Sequence, residues 1–161
     1  PGLAVIFAAI AHITYMNGPK FTNPAILAVF TVAGWVFVAI GAILWVRAVL
    51  AFGIDNATML YVYFPEEGRI INSSIYGVIR HPVYGAALRL SIGLALLNAG
   101  IYPIVFVLLL PLGVFGWLRL VEEKELLERI PEYAEFRKRV PAFFPYPNRI
   151  PAFFKFLITG K

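Results

Sequence analysis

The chain contains no cysteine. That excludes a disulfide framework, a cysteine-based metal site and a thiol nucleophile. Charge is also scarce. Only 14% of residues are charged, where a soluble domain has about 25%. No P-loop, HExxH, GxSxG or GxGxxG pattern occurs, so phosphate cradles, zinc-protease helices, nucleophile elbows and dinucleotide turns are excluded as motifs. No metal site is expected. What fills the chain instead is apolar: 60% of the 161 residues are hydrophobic and the mean hydropathy is +0.79. These residues come in long blocks and not in alternation. Helices that satisfy their own backbone hydrogen bonds in a bilayer account for that pattern. The length suits one domain over residues 1–161. The net charge of +5 then reads as a basic membrane-facing side and not as a nucleic-acid surface.

Four apolar spans are expected. The first covers residues 1–16, "PGLAVIFAAIAHITYM", and is short for a crossing of about 20 residues. Because the chain opens on Pro1, its true start is expected upstream, and a further crossing before residue 1 fits the same pattern. Asn17-Gly18-Pro19 signals a turn. The second span, 24–52, has no charge before Arg47 and is long enough to cross with tilt. A mixed-polarity connection over 53–82 follows, with Asp55 and Asn56 as a helix cap or as lining of a site. The third span is 83–97 and the fourth is 104–120, with Pro111 as an expected kink. The six-residue turn "NAGIYP" joins these two as a helical hairpin. Residues 121–161 change character: "EEKELLERIPEYAEFRKR" has apolar residues at helical spacing, as one amphipathic helix or two broken at Pro131. The Pro- and Phe-rich end reads as a segment lying along the interface. The expected fold is thus all-α: a polytopic membrane protein of about four crossings with a cytosolic amphipathic C-terminal helix.

With four crossings, 53–82 and 121–161 fall on one side. Apart from Lys20, the lysines and arginines lie on or near that side, which the positive-inside rule makes cytoplasmic.

Two short stretches carry the chemistry. In "YGVIRHPVYG", Pro82 fixes its own φ and disfavours helix at His81. Proline is also favoured in a helix's first turn. Arg80 and His81 therefore stand just outside the third span, beside its exposed N–H groups. They could face an anionic ligand group, or Arg80 could hold lipid phosphate while His81 caps the helix. In "RLVEEKE", Glu122 and Glu123 follow the fourth span directly. Carboxylates at a helix C-terminus oppose the macrodipole and call for a cationic ligand or basic partner. Alternatively they open a separate solvated helix. The hairpin returns both stretches to one membrane surface, where a mixed-charge cluster suits a zwitterion. Arg89 lies about two turns deeper than Arg80; it either binds an acidic substrate group or snorkels. His12 reads as a hydrogen-bonded structural residue.

The run "GVIRHPVYGAALRLSIGLALL", a second apolar span and "EEKELLERIPEYAEFRKRVPAFFP" together resemble the isoprenylcysteine carboxyl methyltransferase and phospholipid methyltransferase superfamily. The resemblance covers residues 68–145. Its markers are Arg80-His81-Pro82 with Tyr84, then Glu122-Glu123, then Tyr133 and the Arg139-Val140-Pro141 to Pro145 ending. Ser74-Ile75-Tyr76 stands where the family has Gly-Pro-Tyr, and Pro131 stands where it has glycine. The resemblance implies S-adenosylmethionine bound at the cytosolic side and a methyl group transferred to a lipophilic acceptor. It further implies a cofactor pocket built from Tyr76, Arg80, His81, Pro82, Tyr84, Glu122, Glu123 and Tyr133. Arg89 and His81 are the expected catalytic residues. Arg89 would hold a prenylcysteine-like carboxylate, whereas His81 or a glutamate would take the proton of a lipid amine. The minimal length, with no soluble region for reading a protein partner, favours a lipid acceptor. The expected partners are the bilayer and a lipid substrate, with no nucleic acid. No feature fixes an oligomeric state. A non-enzymatic lipid-binding module is the main alternative, and a small transporter is another; the clustering of polar groups at one surface argues against the latter.

Overall fold

A computed structural model describes residues 8, 10–13, 15–52 and 74–161. Among these residues the regular structure is helical. Helix α1 is Pro24–Phe52, α2 is Pro82–Asn98 and α3 is Ile101–Trp117. One π turn, Leu118–Glu122, leads into α4, Glu123–Arg129. Helices α5, Tyr133–Arg139, and α6, Ile150–Thr159, follow. The expected second span coincides with α1, and the third and fourth fall within one to three residues of α2 and α3. Pro82 opens α2, as its fixed φ requires.

Among the described residues, two helices are long and apolar enough to cross a membrane: Pro24–Ala51 and the continuous stretch Ile101–Arg129. Helix α2, with 17 residues, reaches only about 26 Å, a little under the hydrocarbon thickness of about 30 Å. Most of the expected first span, and Asp55 and Asn56, lie outside the described residues. The expected end of the fourth span at Leu120 is not an end. The helix runs on through the π turn, so Glu123 sits inside a continuous helix and not on a frayed terminus. The dipole argument for the glutamates thereby loses its footing; the burial of Glu123, described below, takes its place.

The described chain forms two compact units. The first comprises described residues of Pro1–Ile43 and Ala86–Trp117. Here α1 and α2 run antiparallel at close range. A Cβ on Gly93 would meet the Gly34 carbonyl oxygen at 2.8 Å, and one on Gly41 would meet the Ala86 carbonyl oxygen at 3.1 Å. Small residues let the backbones approach where lipid offers no hydrophobic drive. Ile13, Ala95 and Val107 form a buried cluster with Ile92, Leu94 and Phe106 around it. At one end, Ile101 N–H donates to the Pro19 carbonyl and Phe21 N–H to that of Ala99. Ala99 takes a left-handed φ of 54° to make the turn.

The second unit comprises described residues of Leu44–Gly85 and Leu118–Lys161. Its core includes Tyr133, Phe136 and Val140, packed against Leu126, Leu127 and Ile130. Helices α4 and α5 are separate: Pro131 falls in the turn between them, where it cannot continue a helix. Helix α6 is tethered to α1. Arg47 donates from Nη1 to the Phe156 carbonyl at 3.2 Å and from Nη2 to that of Ile158 at 2.8 Å. A cation on the last carbonyls of a helix is the favourable sense of its dipole.

Candidate functional site

Glu123 lies at the centre of a charged cluster. Its side chain is 2% exposed, a costly place for a carboxylate unless it is paired. The π turn puts it there. An i→i+5 turn holds one more residue than an α turn, which re-aims the following residues by roughly 100°. Glu123 Oε1 accepts from Arg80 Nε at 2.8 Å and lies 3.2 Å from His81 Nε2. With its proton on Nε2, His81 donates to that oxygen. On the other side, Arg137 Nη1 lies 3.5 Å from Oε2.

Arg80 is held as tightly as the carboxylate it faces. Its Nη1 donates to the carbonyls of Arg137, at 3.2 Å, and of Val140. Its backbone N–H donates to the Pro141 carbonyl at 2.9 Å, and that of His81 donates to the Ala142 carbonyl at 3.0 Å. The "RH" and "VPA" segments therefore run side by side. This is what the non-helical backbone before Pro82 permits: N–H groups inside a helix would be committed to the helix. The His81 ring stands edge-on to Tyr84, with centroids 6.0 Å apart, and 6.5 Å from Phe143. Tyr133 is buried with its hydroxyl 3.5 Å from His81 Nε2. Tyr84 donates its hydroxyl hydrogen to Glu122 Oε1.

The ionisation states follow from these neighbours. Glu123 lies beyond Val121, where the apolar run of the long helix stops. Burial opposes its charge, but hydrogen bonds from His81 and Arg80, with their charges, prevail and hold the carboxyl down to about 2. Burial, reinforced by the negative charge of Glu123, pushes the Tyr133 hydroxyl up to about 12. The cluster thus holds an ionised carboxylate and a neutral phenol across the ordinary pH range.

Of the residues marked from the sequence, Arg80, His81, Tyr84, Glu122, Glu123 and Tyr133 are brought together, and buried Pro82 begins the helix beside them. Tyr76 is buried on the 74–77 turn and gives its hydroxyl hydrogen to the Ala48 carbonyl at 3.3 Å, joining that turn to α1. Arg89 belongs to the first unit, on α2, and is 5% exposed. His12 is exposed. Two participants were missed. Arg137 stands one helical turn beyond Tyr133, but in "EFRKR" nothing in its residue type sets it apart from its basic neighbours. The role of Arg47 was not legible either, because its partners are backbone carbonyls more than a hundred positions away.

A phospholipid methyltransferase family model matches residues 29–132 of the chain. The chain belongs to the phospholipid methyltransferase family. Membership implies methyl transfer to lipids, and the two apolar helices accord with membrane association. No curated protein and no solved structure matches the chain. The matched region of this methyltransferase contains Arg80, His81, Tyr84, Glu122 and Glu123, and stops one residue before Tyr133.

Proposed function

We propose that the protein transfers a methyl group from S-adenosylmethionine to a lipophilic acceptor at the cytosolic face of a membrane. The spans 1–16, 24–52, 83–97 and 104–120 would cross the bilayer, with 121–161 on the cytosolic side. The observation that carries this reading is the buried Glu123 carboxylate. Its Oε2 accepts no hydrogen bond among the described residues, although Arg137 makes ionic contact with it. An orphaned buried acceptor is expensive and fits an ammonium donor. An amino-acid head group carries one. Arg80 and Arg137 beside it suit the carboxylate of the same head group. The donor set therefore fits the cofactor that the family uses.

The cofactor supplies a sulfonium-activated methyl group, so neither a metal nor a covalent enzyme intermediate is required. The protein's work is to bind, orient and exclude water. Glu123, Arg80 and Arg137 would fix the amino-acid end, while Tyr84 holds Glu122, and Tyr133 and Phe143 pack against His81. An amine acceptor must lose a proton, and His81 in its neutral form would take it. A carboxylate acceptor needs no base; Arg89 would hold it. Membership of the phospholipid methyltransferase family favours the amine of a lipid.

Binding of S-adenosylhomocysteine to the purified protein in detergent tests the reading, by calorimetry. Mass spectrometry of added phosphatidylethanolamine, looking for a methyl gain with cofactor, tests the reaction. Saturable binding with a methyl gain is expected; no binding at millimolar ligand would sink the proposal. A lipid-binding module without enzymatic activity would give lipid retention and no affinity for the cofactor product.

A further inference from the structure

The excess charge of the protein is concentrated in its last 26 residues. Between Phe136 and Lys161 there are six basic residues and no acidic one, while the rest of the chain holds eight basic and nine acidic. Three of the six are engaged. Arg137 faces Glu123, Lys138 pairs with Glu135 at 2.6 Å, and Arg139 Nε donates to the Glu135 carbonyl at 3.4 Å. Arg149, Lys155 and Lys161 are exposed, and among the described residues none of them meets an acidic side chain.

These three charges flank a helix that is apolar on two faces. Phe153, Phe156 and Leu157 of α6 are buried against the second unit. Ile150, Phe154 and Ile158, spaced i, i+4, i+8, form a separate stripe that is 43%, 47% and 76% exposed. At 100° per residue this stripe lies between the buried face and Lys155. Phe144 and Tyr146, just upstream, are exposed as well. The stripe cannot turn inward, because the helix is pinned. Arg47 grips its last carbonyls, and Gly160, at φ 78°, closes its end by donating to the Phe156 carbonyl at 2.8 Å.

We propose that α6 is an in-plane helix that recognises anionic lipid. Ile150, Phe154 and Ile158 enter the acyl boundary, and Arg149, Lys155 and Lys161 bind the negatively charged headgroups around them. An apolar stripe edged by a basic side chain is the pattern of interfacial helices, and aromatic residues such as Tyr146 favour the same depth. Charge complementarity selects the occupant: three exposed cations that meet no acidic side chain among the described residues fit an anionic leaflet. Each such cation contributes roughly fivefold in surface affinity. The inference rests on membrane embedding and not on methyl transfer.

The absence of cysteine makes the test direct, since one introduced cysteine is the sole labelling position. Nitroxide labels are placed on the full chain at positions 150, 154 and 158 in turn, and at positions 152 and 159 on the opposite side. The protein is reconstituted in phosphatidylcholine vesicles with and without phosphatidylglycerol. Labels at 150, 154 and 158 should be accessible to oxygen and shielded from a water-soluble nickel chelate; those at 152 and 159 should show the reverse. The label at 154 should lie deeper when phosphatidylglycerol is present. That lipid dependence should vanish in Arg149→Gln/Lys155→Gln/Lys161→Gln and persist in Arg149→Lys/Lys155→Arg/Lys161→Arg. Uniform accessibility around the helix, or equal depth in both vesicles, would overturn the proposal. A stripe shielded from both reagents would overturn it too, by showing a protein partner such as a second copy. Cofactor binding is not read at any step, so this test can fail while the methyl-transfer reading stands.

Discussion

Replacing Glu123 removes the centre of the charge cluster, and the cost can be worked from its contacts. Oε1 accepts a charge-assisted bond from Arg80 at 2.8 Å and lies within reach of His81 at 3.2 Å, with both partners less than 10% exposed at the side chain. Breaking a buried pair by deleting one partner costs about 3–5 kcal/mol, because the remaining charge is stranded. Glu123→Ala strands Arg80 among carbonyls and should lower the melting temperature in detergent by about 6–20 °C for a chain of this size. Glu123→Gln keeps an acceptor oxygen but not the charge. It should cost about 1.5–3 kcal/mol, the value of a hydrogen bond to a charged group. The same substitution should weaken S-adenosylhomocysteine binding by about 10- to 150-fold, measured by calorimetry on protein shown to be folded by its thermal transition. Arg137→Gln provides the comparison. Its contact is longer, at 3.5 Å, and its side chain is 27% exposed, so its stability cost should stay below about 1 kcal/mol. If Glu123→Gln left cofactor-product affinity within threefold while the protein remained folded, the assignment of that carboxylate to the ligand would be wrong. If Glu123→Ala melted with the wild type, the claim that the carboxylate organises the cluster would be wrong as well.

Acid should undo the cluster with a defined sign. The Glu123 carboxyl is lowered from 4.5 to about 2, so its contribution is complete above pH 4.5 and is lost as pH falls toward 2. Tyr133 is raised from 10 to about 12, so its contribution is complete below pH 10 and fades on the alkaline side. Melting curves across this range should show an acid-side slope that Glu123→Gln lacks; an identical slope in the variant would refute the linkage. Two glycines should respond in opposite directions to alanine. Gly93→Ala drives a Cβ to within 2.8 Å of the Gly34 carbonyl oxygen, whereas the space around Gly113 is open to 4 Å. Gly93→Ala should lower stability by about 1–3 kcal/mol and Gly113→Ala should raise it by about 0.5–1 kcal/mol, both read as melting shifts; a stabilised Gly93→Ala would contradict the close packing of α1 on α2.

The sequence disclosed what depends on hydrophobic runs and on proline. The 29 residues of α1 were legible because an apolar block with no charge before Arg47 has one stable form in lipid, and the start of α2 because Pro82 accepts no other role there. The meeting of Arg80 and His81 with Glu123 was legible through the short turn between the two apolar runs. What could not be read was the continuation past Leu120. A π turn leaves no pattern in residue type, and "RLVEEKE" reads as a helix end followed by a new start. That misreading gave the right pairing for an incomplete reason. The dipole of a terminated helix was invoked to demand a cation, whereas the demand comes from burial of a carboxylate inside a continuous helix. The distinction changes what the site can do. A terminal carboxylate would be wet and would change little on meeting a ligand. A buried one, held ionised by Arg80 and His81 and with no hydrogen bond to Oε2 among the described residues, presents a fixed negative charge at low dielectric, where a cationic group would be bound strongly and in one orientation. The same reasoning explains why Arg137 escaped notice. A basic residue in "EFRKR" resembles its solvated neighbours until the partner carboxylate is known to be buried, and only then does its place one turn after Tyr133 acquire meaning.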